Sequence, residues 1–191
     1  MTRRLIALPL LSLAACCLAE EPMCRLPRPH YHRDSSDPDW LSYAAQFHGH
    51  LGPWAAAGAR LGMAGIRAVG AQGYFDVEVT CHGPFGKPPK SCFLDGLQVA
   101  TGATLGKRNL HWVQGDDIVV SIKNTHSGKA CEVRPTESLL QVLGSLPKAP
   151  AKTAKTQTAH DREDHAVESV ETLARQVAAM PHNQIIVVTF P

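Results

Sequence analysis

Two histidines that flank a glycine are the residues of this sequence best suited, by type and spacing, to bind a metal ion. His48 and His50 are two positions apart in "FHGHLGPW". In an extended segment, residues at this spacing project to the same side, so both imidazoles could reach one metal ion. We expect an extended segment here because Gly52 and Pro53 signal the start of the next helix. The alternative is that both histidines are structural or lie on the surface.

Cys92 lies where the sequence predicts the beginning of a later helix, and Asp95 follows one turn on. The partial positive charge at a helix N-terminus favours the thiolate, which is the form that binds metals. Two imidazoles and one thiolate would make a mixed nitrogen and sulfur site for a transition metal, with zinc expected and nickel as the alternative. Cys92 could instead be a small buried side chain or half of a disulfide.

Other patterns that could carry chemistry are weaker, and no catalytic residue is assigned. The chain has no HExxH, GxSxG or CxxC motif, and "TGATLGK" lacks the phosphate-loop pattern. We expect His30 and His32 to lie in a solvated loop rather than at a metal site. The scattered histidines are expected to have no special role: His111, His126, His160, His165 and His182.

The N-terminal residues "MTRRLIALPLLSLAACCLAEEP" have the layout of a secretory signal peptide, with two arginines before an apolar run. We expect removal of residues 1–19, unless a lipobox makes Cys16 a lipid-bearing first residue. Either route predicts export to the periplasm or lipid anchoring in the cell envelope, with the membrane contacted only through that anchor. Thiols tend to pair in oxidising compartments. One or two disulfides are therefore possible among four cysteines: Cys24, Cys81, Cys92 and Cys131.

Length and composition indicate one globular domain with short appendages. The chain has 191 residues, of which 44% are hydrophobic, and its net charge of +2 gives no support for nucleic-acid binding. Residues 20–39 are rich in proline and polar side chains, which indicates a tether or a loosely packed lead-in. We expect a single domain over 40–191, interrupted by an exposed Ala/Lys/Thr/Pro linker at 147–160.

Hydrophobic periodicity predicts an α+β fold with a mixed or antiparallel sheet packed against helices. Gly58, Gly62 and Gly65 share one face of the second helix, which indicates very close backbone packing. This face gives a weak hint of a homodimer and could equally pack within one chain. The predicted helices cover 40–47, 53–69, 92–100, 135–144 and 161–180; the predicted strands cover 74–81, two segments around a Gly-Asp turn in 110–124, 130–135 and 184–190.

Two separated motifs resemble the FmdE family, which takes its name from one of the subunits of formylmethanofuran dehydrogenase. They are "FHGHLGPW…G…LG" over 47–62 and "PPKSCFLDGLQVATGATLGKRNL" over 88–110, in the family's order. The resemblance implies an α+β fold, often dimeric, with a metal site. The site residues that it points to are His48, His50 and Cys92, with four neighbours: Asp95, Gln98, Thr101 and Lys107.

The sequence departs from the family pattern at three places. Many relatives have a cysteine where this chain has Gly52, so redox chemistry by a cysteine pair is disfavoured. Relatives commonly have glycine at the position of Arg108, where the change could alter a tight turn. The cysteine-rich zinc ribbon of some members is missing from this sequence.

Three functions are compatible with these residues. The first is an exported metal-binding protein that acts as a metal carrier or accessory factor. The second is an enzyme whose metal keeps an open coordination position and activates water or an unknown substrate. The third is a structural envelope module whose cysteines form disulfides. The dehydrogenase that gives the family its name acts inside the cell, so its activity is not expected of an exported chain.

Overall fold

The computed structural model describes residues 27–146 and 159–191. The predicted signal peptide, Cys16, Cys24 and most of the predicted linker lie outside the described residues. The described chain confirms the α+β prediction. Its elements, in chain order, are α1 (Asp39–His48), α2 (Pro53–Val69), β1 (Val77–Gly83), α3 (Cys92–Thr101), β2 (Leu110–Gln114), β3 (Val119–Asn124), β4 (Ala130–Pro135), α4 (Glu137–Gly144), α5 (Ala159–Ala179), α6 (His182–Ile185) and β5 (Ile186–Thr189).

The five strands form one mixed sheet in the order β2-β1-β3-β4-β5. β1 is parallel to β2, with Val79 beside Leu110, and antiparallel to β3, with Val79 beside Ile122. The two strands predicted around the Gly-Asp turn are present as β2 and β3, but they do not pair with each other because β1 lies between them. The chain leaves β1, crosses through α3 and returns in parallel as β2, which is a connection that needs an intervening helix.

The core lies between the sheet and helix α2, most of whose residues are buried. On β1 the side chains of Val77, Val79 and Cys81 are fully buried and alternate with more exposed residues, as the sequence pattern predicted. The strand starts three residues later than predicted. Tyr74 has a φ of 62°, which belongs to a turn and not to a strand.

The glycines of α2 allow the close backbone packing that their spacing predicted. A Cβ on Gly58 would lie 2.0 Å from a backbone oxygen of α3, and a Cβ on Gly62 would also meet α3. On the facing helix, a Cβ on Gly96 would lie 1.9 Å from the backbone oxygen of Ala55. Gly65 instead faces the sheet. These contacts form within one chain, and they fix the distance between α2 and α3.

The described part of the lead-in, residues 27–38, is attached to helix α5. Arg175 on α5 donates hydrogen bonds to both carboxylate oxygens of Asp37, at 2.9 and 3.0 Å, and Tyr31 donates to the same carboxylate at 2.6 Å. The backbone N–H of His32 donates to the carboxylate of Glu171 at 2.9 Å. These bonds hold the lead-in more firmly than its composition suggested.

Helix α1 begins without a side-chain cap. Its N-cap residue is Pro38, which makes no side-chain capping bond, and Asp39 lies in the first turn. The carboxylate of Asp37, just before the proline, is engaged by Arg175.

The thiols of Cys81 and Cys131 are both free and buried. A disulfide between them was one of the predicted options, but Cys81 lies on β1 and Cys131 on β4, with β3 between the two strands. Burial raises the pKa of the Cys81 thiol to about 12, so this thiol stays protonated at neutral pH. Across the described ranges, no helix combines the length and the apolar character needed to span a bilayer.

Candidate metal centre

His48 and His50 lie close together, but not because both are in an extended segment. His48 is the last residue of α1, and His50 forms a β-bridge just beyond it. Between them, Gly49 has a φ of 92°, a left-handed conformation that suits glycine and ends the helix. This reversal brings the centroids of the two imidazole rings to 4.5 Å from each other. The predicted proximity is present, and the predicted extended backbone at His48 is wrong.

Asp95 orients the imidazole of His48. The Nδ1 atom of His48 donates a hydrogen bond to Asp95 at 2.6 Å, and the His48 side chain is only 10% exposed. This hydrogen bond, and after it the nearby thiol of Cys92, raise the pKa of His48 to about 9. A carboxylate that holds one imidazole nitrogen leaves the other as the metal ligand, which is a common arrangement around metal-binding histidines.

The second nitrogen of His48 can bind a metal ion once it has lost its proton, because with a pKa of about 9 the ring is protonated at neutral pH. Its Nε2 atom is buried and has no hydrogen-bond partner among the described residues. Gly52 has no side chain and therefore leaves space beside this atom. A Cβ at Gly52 would fill that space, 3.3 Å from Nε2 of His50 and 3.7 Å from Nε2 of His48. The two nitrogens therefore line the same small space. An unpartnered buried nitrogen is unfavourable unless something binds to it.

Cys92 is the first residue of α3, as the sequence predicted, and its half-buried thiol is free. It lies near enough to His48 to influence the pKa of that imidazole. Among the described cysteines, none forms a disulfide with Cys92. The close packing of α2 on α3 fixes Cys92 and Asp95 relative to the segment that carries the two histidines.

The donor atoms of these side chains are chemically suited to a transition metal, although the described side chains are not arranged around an ion. Nowhere in residues 27–146 and 159–191 do three His, Cys, Asp or Glu side chains form a group arranged to hold an ion. Two imidazoles and one thiolate are suitable ligands for zinc or nickel. The orphaned Nε2 of His48 and the space at Gly52 agree with such an ion. The metal assignment of His48, His50 and Cys92 stays a prediction.

The four predicted neighbours divide into two groups. Asp95 binds His48, and Gln98 donates a hydrogen bond to Asp95 at 3.4 Å. Thr101 is buried and bonds to the backbone where α3 ends, which is a structural role. Lys107 interacts with its own loop through Thr104 at 3.4 Å. Only Asp95 and Gln98 therefore belong to the candidate centre.

His30 adjoins the centre, which sequence reasoning missed. Its backbone N–H donates to the carbonyl of Gly49 at 2.7 Å, and it forms a parallel β-bridge with His50. Partial desolvation of the ring lowers the pKa of His50, and the neighbouring imidazoles of His48 and His30 lower it further. No local pattern could have indicated this pairing, since the two residues are twenty positions apart. The only signal was the presence of His30 itself in a segment expected to be solvated.

A cleft of about 670 Å³ opens beside His48. Its walls include Tyr43 and Phe47, which are largely exposed, together with Arg28 and Val99. Of the candidate ligands, only His48 lines this cleft.

Comparison with known proteins identifies the family. Residues 47–187 match the family described as "FmdE, Molybdenum formylmethanofuran dehydrogenase operon", a range that includes His48, His50, Cys92, strands β1 to β4 and the start of β5. None of the curated proteins compared with the chain matches it. Because the matched range covers well over half of the sequence and the mixed sheet with its helices agrees with it, the chain belongs to the FmdE family.

Proposed function

We propose that this protein binds a late transition metal ion, zinc by preference, through His48, His50 and Cys92, and serves as a metal carrier or accessory factor. The observation that carries the proposal is the buried Nε2 atom of His48, which has no partner among the described residues while Asp95 holds the other nitrogen of the ring. His50 and Cys92 lie beside the same imidazole. Membership of the FmdE family supports a metal-related accessory role.

Each side chain has a distinct task in this proposal. His48 and His50 supply imidazole nitrogen, and Cys92 supplies thiolate sulfur, which zinc accepts together in one site. Nickel is the alternative ion, because imidazole and thiolate also suit it. Asp95 fixes the ring orientation of His48 and keeps its Nε2 atom available. Asp95 is therefore a positioning residue and not a general base.

The cellular location belongs to the proposal as well. The two arginines and the apolar run at the N-terminus support export to the periplasm or anchoring in the envelope. Mass spectrometry of the protein from envelope fractions tests this location. A mature chain that begins at Glu20, or a lipid on Cys16, is the expected result, and an unprocessed N-terminus in the cytoplasm contradicts it.

Metal analysis tests the binding function directly. We expect about one zinc or nickel ion per chain after reconstitution of the wild-type protein, and loss of that ion in Cys92→Ser and His50→Ala. His126→Ala is the matched control, because His126 is exposed and uses its backbone N–H, which alanine retains, to bond Asn124. Retention of metal by all variants, or no metal in the wild type, contradicts the proposal.

A metal-dependent enzyme is the second candidate, and the cleft beside His48 favours it. A metal held by three protein ligands would keep a position for water, and a bound zinc ion makes that water more acidic. Counting the ligands by X-ray absorption separates the two candidates. A metal-bound water supports an enzyme, whereas four protein ligands support a carrier.

A further inference from the structure

The lead-in places a third imidazole next to the candidate centre. His30 and His50 form a parallel β-bridge, and the backbone N–H of His30 donates to the carbonyl of Gly49 at 2.7 Å. Residues paired in this way carry their side chains on the same side of the two segments. The two imidazoles are therefore neighbours in the fold.

The lead-in is held in this position by buried ionic contacts with α5. The carboxylate of Glu171, which is 2% exposed, accepts the backbone N–H of His32. Arg175 donates to Asp37 and also to the backbone oxygen of His32. The bridge to His50 fixes the backbone of His30 itself, and the contacts with α5 fix the residues that follow it.

We propose that His30 is a fourth metal ligand, which closes the site formed by His48, His50 and Cys92. This inference rests on the proposed function and extends it, because a site closed by four protein ligands leaves no position for substrate. It therefore favours the carrier over the enzyme. His30 lies outside the range of 47–187 that the family match covers, so the match itself does not assign this ligand.

The side chains can adjust to an ion without disturbing the fold. His30 and His50 are both exposed, so their rings can rotate about the side-chain bonds. His48 is held by Asp95 and needs no rotation to present its Nε2 atom. Metal binding would thus draw two mobile rings onto one fixed imidazole and a thiolate.

The experiment compares the full-length wild-type protein with His30→Ala and the matched variant His32→Ala, each loaded with zinc or cobalt(II). His32 lies on the same segment, its ring centroid is 6.0 Å from that of His30, and its backbone bond to Glu171 survives substitution. Competition with a chelating dye measures affinity, and X-ray absorption counts the imidazoles bound to the metal. We expect His30→Ala to lose at least about tenfold in affinity and one bound imidazole, and His32→Ala to match the wild type.

The possible outcomes separate this inference from the function on which it rests. If His30→Ala binds like the wild type while His50→Ala loses the ion, His30 is not a ligand and the proposed function stands. If His30→Ala and His32→Ala weaken binding equally, or the imidazole count stays constant, the lead-in acts only as a support and the ligand role is overturned. If the wild type binds no ion, both proposals fail.

Discussion

Arg175 and Asp37 form an ion pair between residues 138 positions apart, with Nε of the arginine 2.9 Å from Oδ1 of the aspartate. Burial works to raise the pKa of Asp37, but hydrogen bonds from Arg175, Tyr31 and the backbone N–H of Asp34 outweigh it and lower the pKa to about 2. The aspartate side chain is 2% exposed, so breaking this pair leaves a buried group uncompensated.

This pair predicts a stability change in acid. The pKa of Asp37 is lower in the folded than in the unfolded protein, so its contribution is present above about pH 4 and is lost as the pH falls towards 2. We expect the wild type to lose about 2 kcal/mol more unfolding free energy over this window than Asp37→Asn does. Denaturant titrations at several pH values measure it.

Asp39→Asn is the matched control for this prediction, because the ion pair of Asp39 with Arg33, at 3.2 Å, is exposed to solvent. It should retain the pH profile of the wild type. Parallel profiles for the wild type and Asp37→Asn would show that the buried pair does not govern acid stability.

The carboxylate of Asp95 should control metal affinity through His48. Asp95→Asn keeps the size of the side chain but removes the charge that holds Nδ1. Loss of such a partner typically lowers metal affinity by about 10- to 100-fold, and we expect zinc binding to weaken accordingly. Competition with a chelating dye gives the value. Gln98→Ala removes only the weak 3.4 Å contact to Asp95 and should bind zinc almost normally; equal losses in both variants would refute the orienting role.

Gly52 is the position where a further ligand can be added. Its φ of −111° and ψ of 139° are accessible to any residue, and a Cβ there lies within 3.7 Å of both free imidazole nitrogens. Gly52→Cys should raise zinc affinity by about tenfold or more, because thiolate is a strong zinc ligand. Gly52→Ala adds the same carbon without sulfur and is the control. Sulfur-to-metal absorption of the cobalt(II) form identifies the new bond, and equal affinities in the two variants would contradict the site geometry.

Gly96 should be essential to the packing of α3 on α2. A Cβ at this position would lie 1.9 Å from the backbone oxygen of Ala55, so the helices would have to separate. We expect Gly96→Ala to lower the free energy of unfolding by about 3 kcal/mol, measured by denaturant titration. Gly144→Ala is the contrasting variant, since nothing lies within 4 Å of its Cβ position; it should not destabilise the protein. Similar stabilities for both variants would mean that α2 and α3 can move apart with little loss of unfolding free energy.

Arg108 has a left-handed backbone, with a φ of 58°. This conformation costs an ordinary residue about 1 kcal/mol, which explains in physical terms why glycine suits the position. Arg108→Gly should therefore raise the thermal midpoint. Lys107→Gly changes the neighbouring residue, which does not have a positive φ, and should lower the midpoint because glycine loses more entropy on folding. A decrease in both variants would exclude strain at Arg108.

Local sequence signals predicted the helices, the buried face of β1 and the glycine contacts well. Helix α2 begins at Pro53 and ends at Val69, as predicted, because a proline near the first turn and a following glycine act through nearby backbone atoms. The apolar alternation of β1 follows from the two-residue repeat of a strand. The assignment of His48, His50 and Cys92 as metal ligands, made from residue type, spacing and the family resemblance, stays a prediction.

The features that sequence reasoning missed depend on contacts between distant parts of the chain. The pairing of β2 with β1 is decided by the crossover through α3, which no residue within β2 encodes. The bridge between His30 and His50 and the ion pair of Asp37 with Arg175 join segments that periodicity cannot relate. The helical conformation of His48 was missed because α1 continues up to the left-handed Gly49, so that its last residue lies one position beyond the predicted end at position 47.

Because the lead-in is attached to α5, the folded unit begins before residue 47, where the family match begins. A recombinant fragment limited to residues 47–187 would lack Leu41, Ala44 and Ala45, all of which are buried, and would expose the carboxylate of Glu171 to water. Such a fragment would be less stable and would also lack the imidazole of His30. Measurements of metal affinity on this protein therefore need a chain that begins ahead of Pro27.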